Sequence, residues 1–449
     1  MMKIAIVGGG ISGLATAFYI SKARPDVEIT LFETKDKLGG SMLTQEVEGF
    51  FFESGSNGFL SNKPDTLALI EESGCRDILI QSNDSARKRF IYKDFLCSLP
   101  ESPKAFLRSP LLSWIGKIRV AGEFFVSPKK DDTDETLQSF GYRRVGKEMT
   151  DVFLDAMVAG IFGSTPDKIS VNSAFPAVVK LEKEYGGLFK GMLAKKKKEA
   201  GPGGVLMSFK QGVSSFIQRL SSVCQIEIKM QCEVSDIKPK NGKYIVTTQE
   251  GEVLFDRVIL ATPSFISAKL LENIDKSLAK DLNEIEYSPI SIVGFGYYDL
   301  SHPLDGFGLL TTTSAKKSIL GVLWDSSIFG DRAPQGAKSV RVMIGGQRNP
   351  TLALKGDEEL VNIAKVGVRE TMGIVDEPDV VFVKRYERGI PNYGVGHKDK
   401  MVKIFNRLQQ HKGLYLNSNA YFGVAVNDCV SNSKKCAQKV LEELSPSPR

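Results

Sequence analysis

Three stretches of the sequence predict an α/β protein with an α+β unit: a parallel strand with its glycine turn and helix, a run of amphipathic helices, and a set of antiparallel strands. The first is Lys3-Ile4-Ala5-Ile6-Val7, an apolar β-branched run that enters Gly8-Gly9-Gly10-Ile11-Ser12-Gly13 and then an Ala-rich helix. The second is residues 101–200, amphipathic segments punctuated by Gly and Pro. The third is residues 288–313 and 319–342, where apolar and polar residues alternate as in antiparallel strands.

Size and composition bound the function. At 449 residues the chain exceeds one core and suffices for two or three domains. A hydrophobic content of 42% and a charged content of 25% are those of a folded globular protein. The net charge of +6 is spread along the chain. A dedicated nucleic-acid binder would concentrate its basic residues, whereas a mild excess suits an anionic substrate or membrane surface. The six cysteines form no C-x-x-C pair and read as free thiols of a reducing, cytoplasmic compartment. Three histidines show no metal-ligand spacing. The first strand starts too early to leave room for a signal peptide, and no apolar run reaches the ~18 residues of a spanning helix. The expectation is a chain that is soluble or lies on a membrane surface.

In chain order, Gly8, Gly10 and Gly13 stand at G-x-G-x-x-G spacing. The first permits the tight turn, the second lets backbone approach a pyrophosphate, and the third lets helix pack on strand. The N–H groups of Ile11, Ser12 and Gly13 open the helix, whose dipole favours phosphate. A second strand, residues 27–32, ends in Glu33, about 20 residues past the last glycine, where such units place a ribose acceptor. A second glycine pair, Gly39-Gly40, and a third turn, Glu53-Ser54-Gly55-Ser56-Asn57-Gly58, follow. Residues 63–74 read as a helix. Arg89-Phe90-Ile91-Tyr92 and 95–100 read as a hairpin about Lys93-Asp94. Leu111 to Val120, with Trp114, Ile115 and Ile118 beside Lys117 and Arg119, reads equally as an interfacial helix or as one covering a soluble core. Lys195–Lys198 is a basic run of the solvated kind. Residues 234–237 and 244–248 flank an Asn-Gly turn, and Asp256-Arg257-Val258-Ile259-Leu260-Ala261-Thr262-Pro263 closes that unit. Gly306-Phe307-Gly308-Leu309-Leu310 and Arg341-Val342-Met343-Ile344-Gly345-Gly346 lie in the alternating region. Tyr421-Phe422-Gly423-Val424-Ala425-Val426-Asn427-Asp428-Cys429 opens the last helix.

These strings, from the first strand to the last helix, resemble the oxygen-dependent protoporphyrinogen oxidases of the flavin amine oxidase superfamily. The resemblance implies a Rossmann-like FAD-binding domain over residues 1–62, 201–264 and 405–449. It also implies a mixed-sheet substrate domain over 63–100 and 265–404, and a helical, membrane-touching lobe over 101–200. FAD would be held by Gly8, Gly10, Ile11, Ser12, Gly13, Glu33, Gly39, Gly40, Gly55, Ser56, Asn57, Val234, Ala261, Thr262, Val424, Ala425 and Val426. Arg89 would pair with a substrate propionate, a fork-to-fork match. Phe307, Gly308, Leu310 and Met343 would line the slot for the macrocycle. The activity implied is six-electron oxidation of protoporphyrinogen IX to protoporphyrin IX, with O2 as acceptor and no catalytic side chain, since the cofactor carries the redox chemistry. A coproporphyrinogen III oxidase on the same fold, and a flavin-binding protein without turnover, are the competing readings. The resemblance leans toward a peripheral, dimeric protein. His397 reads as structural and Cys429 as a packed thiol. Ser418 and Asn432-Ser433 depart from the family, which has glycine before the last loop and Ser-Gly later. Ser418 is therefore expected to crowd the cofactor.

Overall fold

The computed structural model describes residues 2–198 and 204–444. Its apolar, β-branched runs pair as a buried parallel sheet. Lys3–Val7 lies between Glu28–Phe32 and Arg257–Leu260, with Glu227–Lys229 and Leu414–Leu416 at the edges. Alternation along the first strand supplies two cores. Ile4 and Ile6 face the helices Ile11–Ala23, Val213–Val223 and Val426–Leu444. Ala5 and Val7 face the three-stranded meander at 234–255 and the helices Ser264–Leu271, Lys276–Asn283 and His397–Leu408.

The second large sheet has seven strands. In spatial order they are Val380–Pro391, Tyr287–Tyr297, Lys338–Gly345, Ile319–Leu323, Gly308–Thr311, Arg89–Tyr92 and Leu96–Ser98. Neighbours run antiparallel except that Arg89–Tyr92 is parallel to Gly308–Thr311, so the sheet is mixed. One face, with Val293, Leu309, Val322 and Val342, packs on the helix Asp357–Met372. The other face presents two cross-strand rows. Arg89, Gly308, Leu323 and Arg341 form one, and Ile91, Leu310, Gly321 and Met343 the next. That face looks toward the hairpin Thr44–Val47/Phe50–Glu53, where Phe52 packs on Gly294, and toward the helix Asp155–Phe162, where Gly160 packs on Leu310.

Residues 103–198 form short helices. Arg144 and Glu123, both fully buried, pair at their centre, and Arg143 bridges Glu135 and Glu182. The lobe joins the sheet through Asp155. Its carboxylate lies 3.3 Å from Arg348 and accepts from the Thr313 N–H at 2.6 Å and hydroxyl at 2.8 Å. The side chains of Lys195–Lys198 and all of residues 201–203 lie outside the described residues.

The parallel sheet and its helices draw on several separate segments of the chain. Leu69, Ile70 and Cys75 share a core with the first strand, and Leu79–Gln81 pairs with Leu206–Phe209. The helices at 264–283 and 397–408 likewise pack on the parallel sheet. The sequence shows that these helices have an apolar face, not which sheet it meets.

Candidate cofactor and substrate site

Three glycine turns stack on one another at the carboxyl end of the parallel sheet. Gly13 packs so tightly that a Cβ there would lie 2.0 Å from the Gly8 carbonyl, which fixes the helix against the turn. Gly39, at φ +118°, donates its N–H to the Gly9 carbonyl at 2.8 Å and bridges Gly10. The third turn lies on the second. Ser54 N–H donates to the Leu43 carbonyl at 2.7 Å, and a Cβ on Gly55 would sit 2.5 Å from the Ser41 carbonyl. Gly40 follows Gly39, and its Cβ would approach Gly10 Cα at 3.4 Å.

Between the turns the backbone is open. A Cβ on Gly10 would meet nothing nearer than 3.9 Å, and the Ile11–Ala23 helix has neither a side-chain cap nor an acid in its first turn. The N–H groups of Ile11, Ser12 and Gly13 are therefore left for an anion. Glu33 is buried, and its carboxylate accepts from Gly9 N–H at 2.8 Å and Lys35 N–H at 3.0 Å. Val234 is buried just past Cys232, whose N–H donates to the Glu33 carbonyl at 2.9 Å. Ala261 continues the first sheet through an N–H bond to Val7, and the Thr262 hydroxyl meets that of Ser267 at 2.8 Å. An open helix N-terminus, a carboxylate fixed at the end of the second strand, and two further glycine turns fit a dinucleotide with an extended second half. Residues 424–426 bring the N-terminus of the last helix to the same side, where Asn427 donates to the Leu60 carbonyl at 2.9 Å.

Ser56 and Asn57 are both engaged by protein. The Ser56 hydroxyl lies 3.0 Å from the Gly58 carbonyl, and the Asn57 side-chain carbonyl accepts from Arg341. Ser418 is buried, and its hydroxyl accepts from Ala420 N–H at 3.3 Å, within its own turn. Ser433, in the last helix, lies 3.0 Å from the Ser12 carbonyl and accepts from Asn417 at 2.9 Å. It thus ties the last helix to the first.

The substrate candidates separate into two groups. A cavity of about 340 Å³ is lined by Arg89, Phe307, Arg87, Asn83, Leu60 and Leu206, among others. The Arg89 guanidinium lies 4.9 Å from the Phe307 ring centre. Its neighbours in the basic cluster are paired, Arg87 with Asp84 at 3.3 Å and Lys88 with Asp305, whereas Arg89 has no carboxylate partner among the described residues. Gly308 lies beside Arg89 in the sheet, with its Cβ position closed by the Val322 carbonyl. Leu310 and Met343 do not line this cavity. They stand on the same sheet face, either side of Gly321, and Met343 packs with Tyr386 against Ala159, Ile290 and Leu320.

His397 is buried, stacks on Tyr393 at 4.1 Å and hydrogen-bonds the Tyr421 carbonyl at 3.2 Å, and its pKa is lowered to about 4 by burial. Burial pushes the Cys429 thiol up to about 12. Sequence reasoning passed over Gly9, Tyr386 and Arg341. Tyr386 has a buried hydroxyl with no partner among the described residues. Arg341 had a visible signal, an arginine inside an otherwise apolar strand.

Known proteins bear on this geometry. A coproporphyrinogen III oxidase of Bacillus subtilis (strain 168) is 26% identical over 466 residues, covering 98% of both chains. The chloroplastic protoporphyrinogen oxidase 1 of Arabidopsis thaliana is 29% identical, covering 98% of this chain and 88% of the relative. A crystal structure from Exiguobacterium sp. 255-15, provisionally named a protoporphyrinogen oxidase, superposes with a TM-score of 0.88 at 27% identity, over 98% of this chain and 99% of that one. The model of the flavin containing amine oxidoreductases matches residues 11–441. With the open helix N-terminus and the stacked glycine turns in place, the chain belongs to the flavin-containing amine oxidoreductase family and is an oxidoreductase with FAD as its cofactor.

Proposed function

We propose that this protein is a porphyrinogen oxidase of haem biosynthesis that converts protoporphyrinogen IX to protoporphyrin IX. The observation that carries the reading is Arg89: of three successive cations it alone lacks an acid, and it lines the cavity over an aromatic ring. A guanidinium so held accepts a carboxylate bidentately, while Phe307 offers an apolar plate to the ring system. FAD, held at the stacked glycine turns, would supply the redox chemistry, accepting hydrides with O2 as the acceptor in this reading. The chain's part is to anchor a propionate at Arg89, to offer the apolar plate of Phe307 beside Gly308, and to exclude water, while Leu310 and Met343 stand on the same sheet face outside that cavity. No side-chain base is required, because pyrrole N–H groups release the protons. His397, held neutral and stacked on Tyr393, is not available as one.

Coproporphyrinogen III, a tetracarboxylate, is the second substrate to test, because Arg87 lines the same cavity and would add a second guanidinium on release from Asp84, its partner at 3.3 Å. Porphyrin fluorescence followed on both porphyrinogens decides between them. Faster turnover of protoporphyrinogen supports the reading, and preference for coproporphyrinogen overturns it. Arg89→Ala is expected to raise KM roughly tenfold or more with a much smaller change in kcat, as loss of a charge-assisted contact made equally in ground and transition states should. An unchanged KM removes Arg89 from the site. The same reading makes the exposed apolar face at 114–125 a membrane contact. Ile115 is 81% and Phe125 90% exposed, and the Lys117 amine folds back over Trp114 at 4.6 Å.

A further inference from the structure

We infer that Arg341 is a positioning residue for FAD, holding the cofactor-side turn at Glu53–Asn57 from the substrate-facing sheet. Arg341 is 1% exposed, and its guanidinium is partnered on two sides. On one side, Nε donates to Oδ2 of Asp325, the first residue of the short helix Asp325–Ile328, at 2.5 Å and Nη2 to Oδ1 at 2.9 Å. Toward the turn, Nη1 donates to the Glu53 carbonyl at 2.5 Å and Nη2 to the Asn57 side-chain carbonyl. Asp325, also buried, therefore fixes the plane of the fork, and the fork reaches both ends of the turn.

The turn has few restraints of its own. Ser56 bonds only within it. Its remaining contacts lead to the cofactor side, through Ser54 and Gly55 to the segment 41–43 and thence, by Gly39, to Gly9 and Gly10. Arg341 thus closes a chain of contacts that runs from the phosphate turn to the substrate face. A second buried pair steadies the same strand end. Arg332 lies 3.1 Å from the Glu53 carboxylate, which also accepts from Val213 N–H at 3.1 Å and the Thr44 hydroxyl at 2.6 Å. Glu53 is thereby held without Arg341, whereas the Asn57 side chain has Arg341 as its only hydrogen-bond partner among the described residues. The inference rests on FAD binding at the stacked glycine turns and stands apart from the choice of porphyrinogen.

The test is FAD titration of the full-length apo-protein, read by flavin fluorescence and checked by bound flavin after ultrafiltration. Arg341→Lys keeps a charge opposite Asp325 but cannot reach Asp325, Glu53 and Asn57 together. Its FAD Kd is expected to rise at least tenfold. Asn57→Ala is expected to raise the Kd similarly, and the double variant to be no weaker than the weaker single variant, because both remove one connection. A Kd within twofold of the parent for Arg341→Lys overturns the inference, as does multiplication of the two effects, which would mean that the residues act independently. A purely structural ion pair would lower the melting temperature of the apo-protein and leave the Kd in place. If Arg341→Lys fails to fold, Asp325→Asn, which frees the guanidinium from the far side, takes its place under the same thresholds.

Discussion

His397 shows how one buried residue sets a property of the whole protein. Its imidazole is neutral in the fold, with a pKa near 4 against 6.5 for the ordinary side chain. The unfolded chain takes up a proton below pH 6.5, and the folded chain does so only near pH 4. Stability from this residue is therefore unaffected above pH 6.5 and falls as pH drops through that window, by up to about 3 kcal/mol. A shallower fall in melting temperature between pH 6.5 and 4.5 in His397→Gln than in the parent is the expected result. Parallel slopes would remove His397 as the cause. The structural role of His397 was legible in the sequence, since it sits beside a Pro-Asn-Tyr turn with no ligand partner. Ser433 was not: a serine in place of glycine reads as a perturbation near the cofactor. Only the crossing of the two helices reveals that its hydroxyl is needed by Asn417 and lies at the Ser12 carbonyl.

At the scale of elements, periodicity told what each segment is but not where it goes. The first strand, its glycine turn and its helix are local and were readable in full. The parallel pairing of Arg89–Tyr92 with Gly308–Thr311 joins residues more than 200 positions apart, and no local pattern encodes it. It nevertheless puts Arg89 beside Gly308, next to Phe307, and so makes the cavity. The Trp114–Ala121 helix is a case where the sequence left two readings open. The helix turns Trp114, Ile115 and Ile118 outward, so it does not cover a core with those residues. Flotation with anionic phospholipid vesicles is expected to carry the parent protein and to lose it when Trp114, Ile118 and Phe125 are replaced by serine, with melting temperature unchanged. Equal flotation of parent and variant would assign the face to something other than lipid.

The molecule as a whole is joined at a few charged seams between apolar layers. Asp155 is such a seam, since it ties the lobe to the seven-stranded sheet through Arg348 and Thr313. Asp155→Ala would leave Arg348 buried without its partner, a loss of about 3–5 kcal/mol. Limited proteolysis is expected to cut first between residues 100 and 200 in that variant, and an unchanged cleavage pattern would show that apolar packing alone holds the lobe. The crossing of the first and last helices has a further consequence for how the protein is made. The strand Leu414–Leu416 and the helix Val426–Leu444, which complete the sheet and core of Lys3–Val7 and Ile11–Ala23, leave the ribosome about 400 residues after them. Until residues 414–444 are released, the nascent chain carries an unfinished sheet edge and an uncovered apolar helix face, surfaces that invite chaperones and aggregation alike. A chain that stalls short of residue 414 has all three glycine turns and no closed body to hold them, so folding of the parallel sheet waits on residues 414–444.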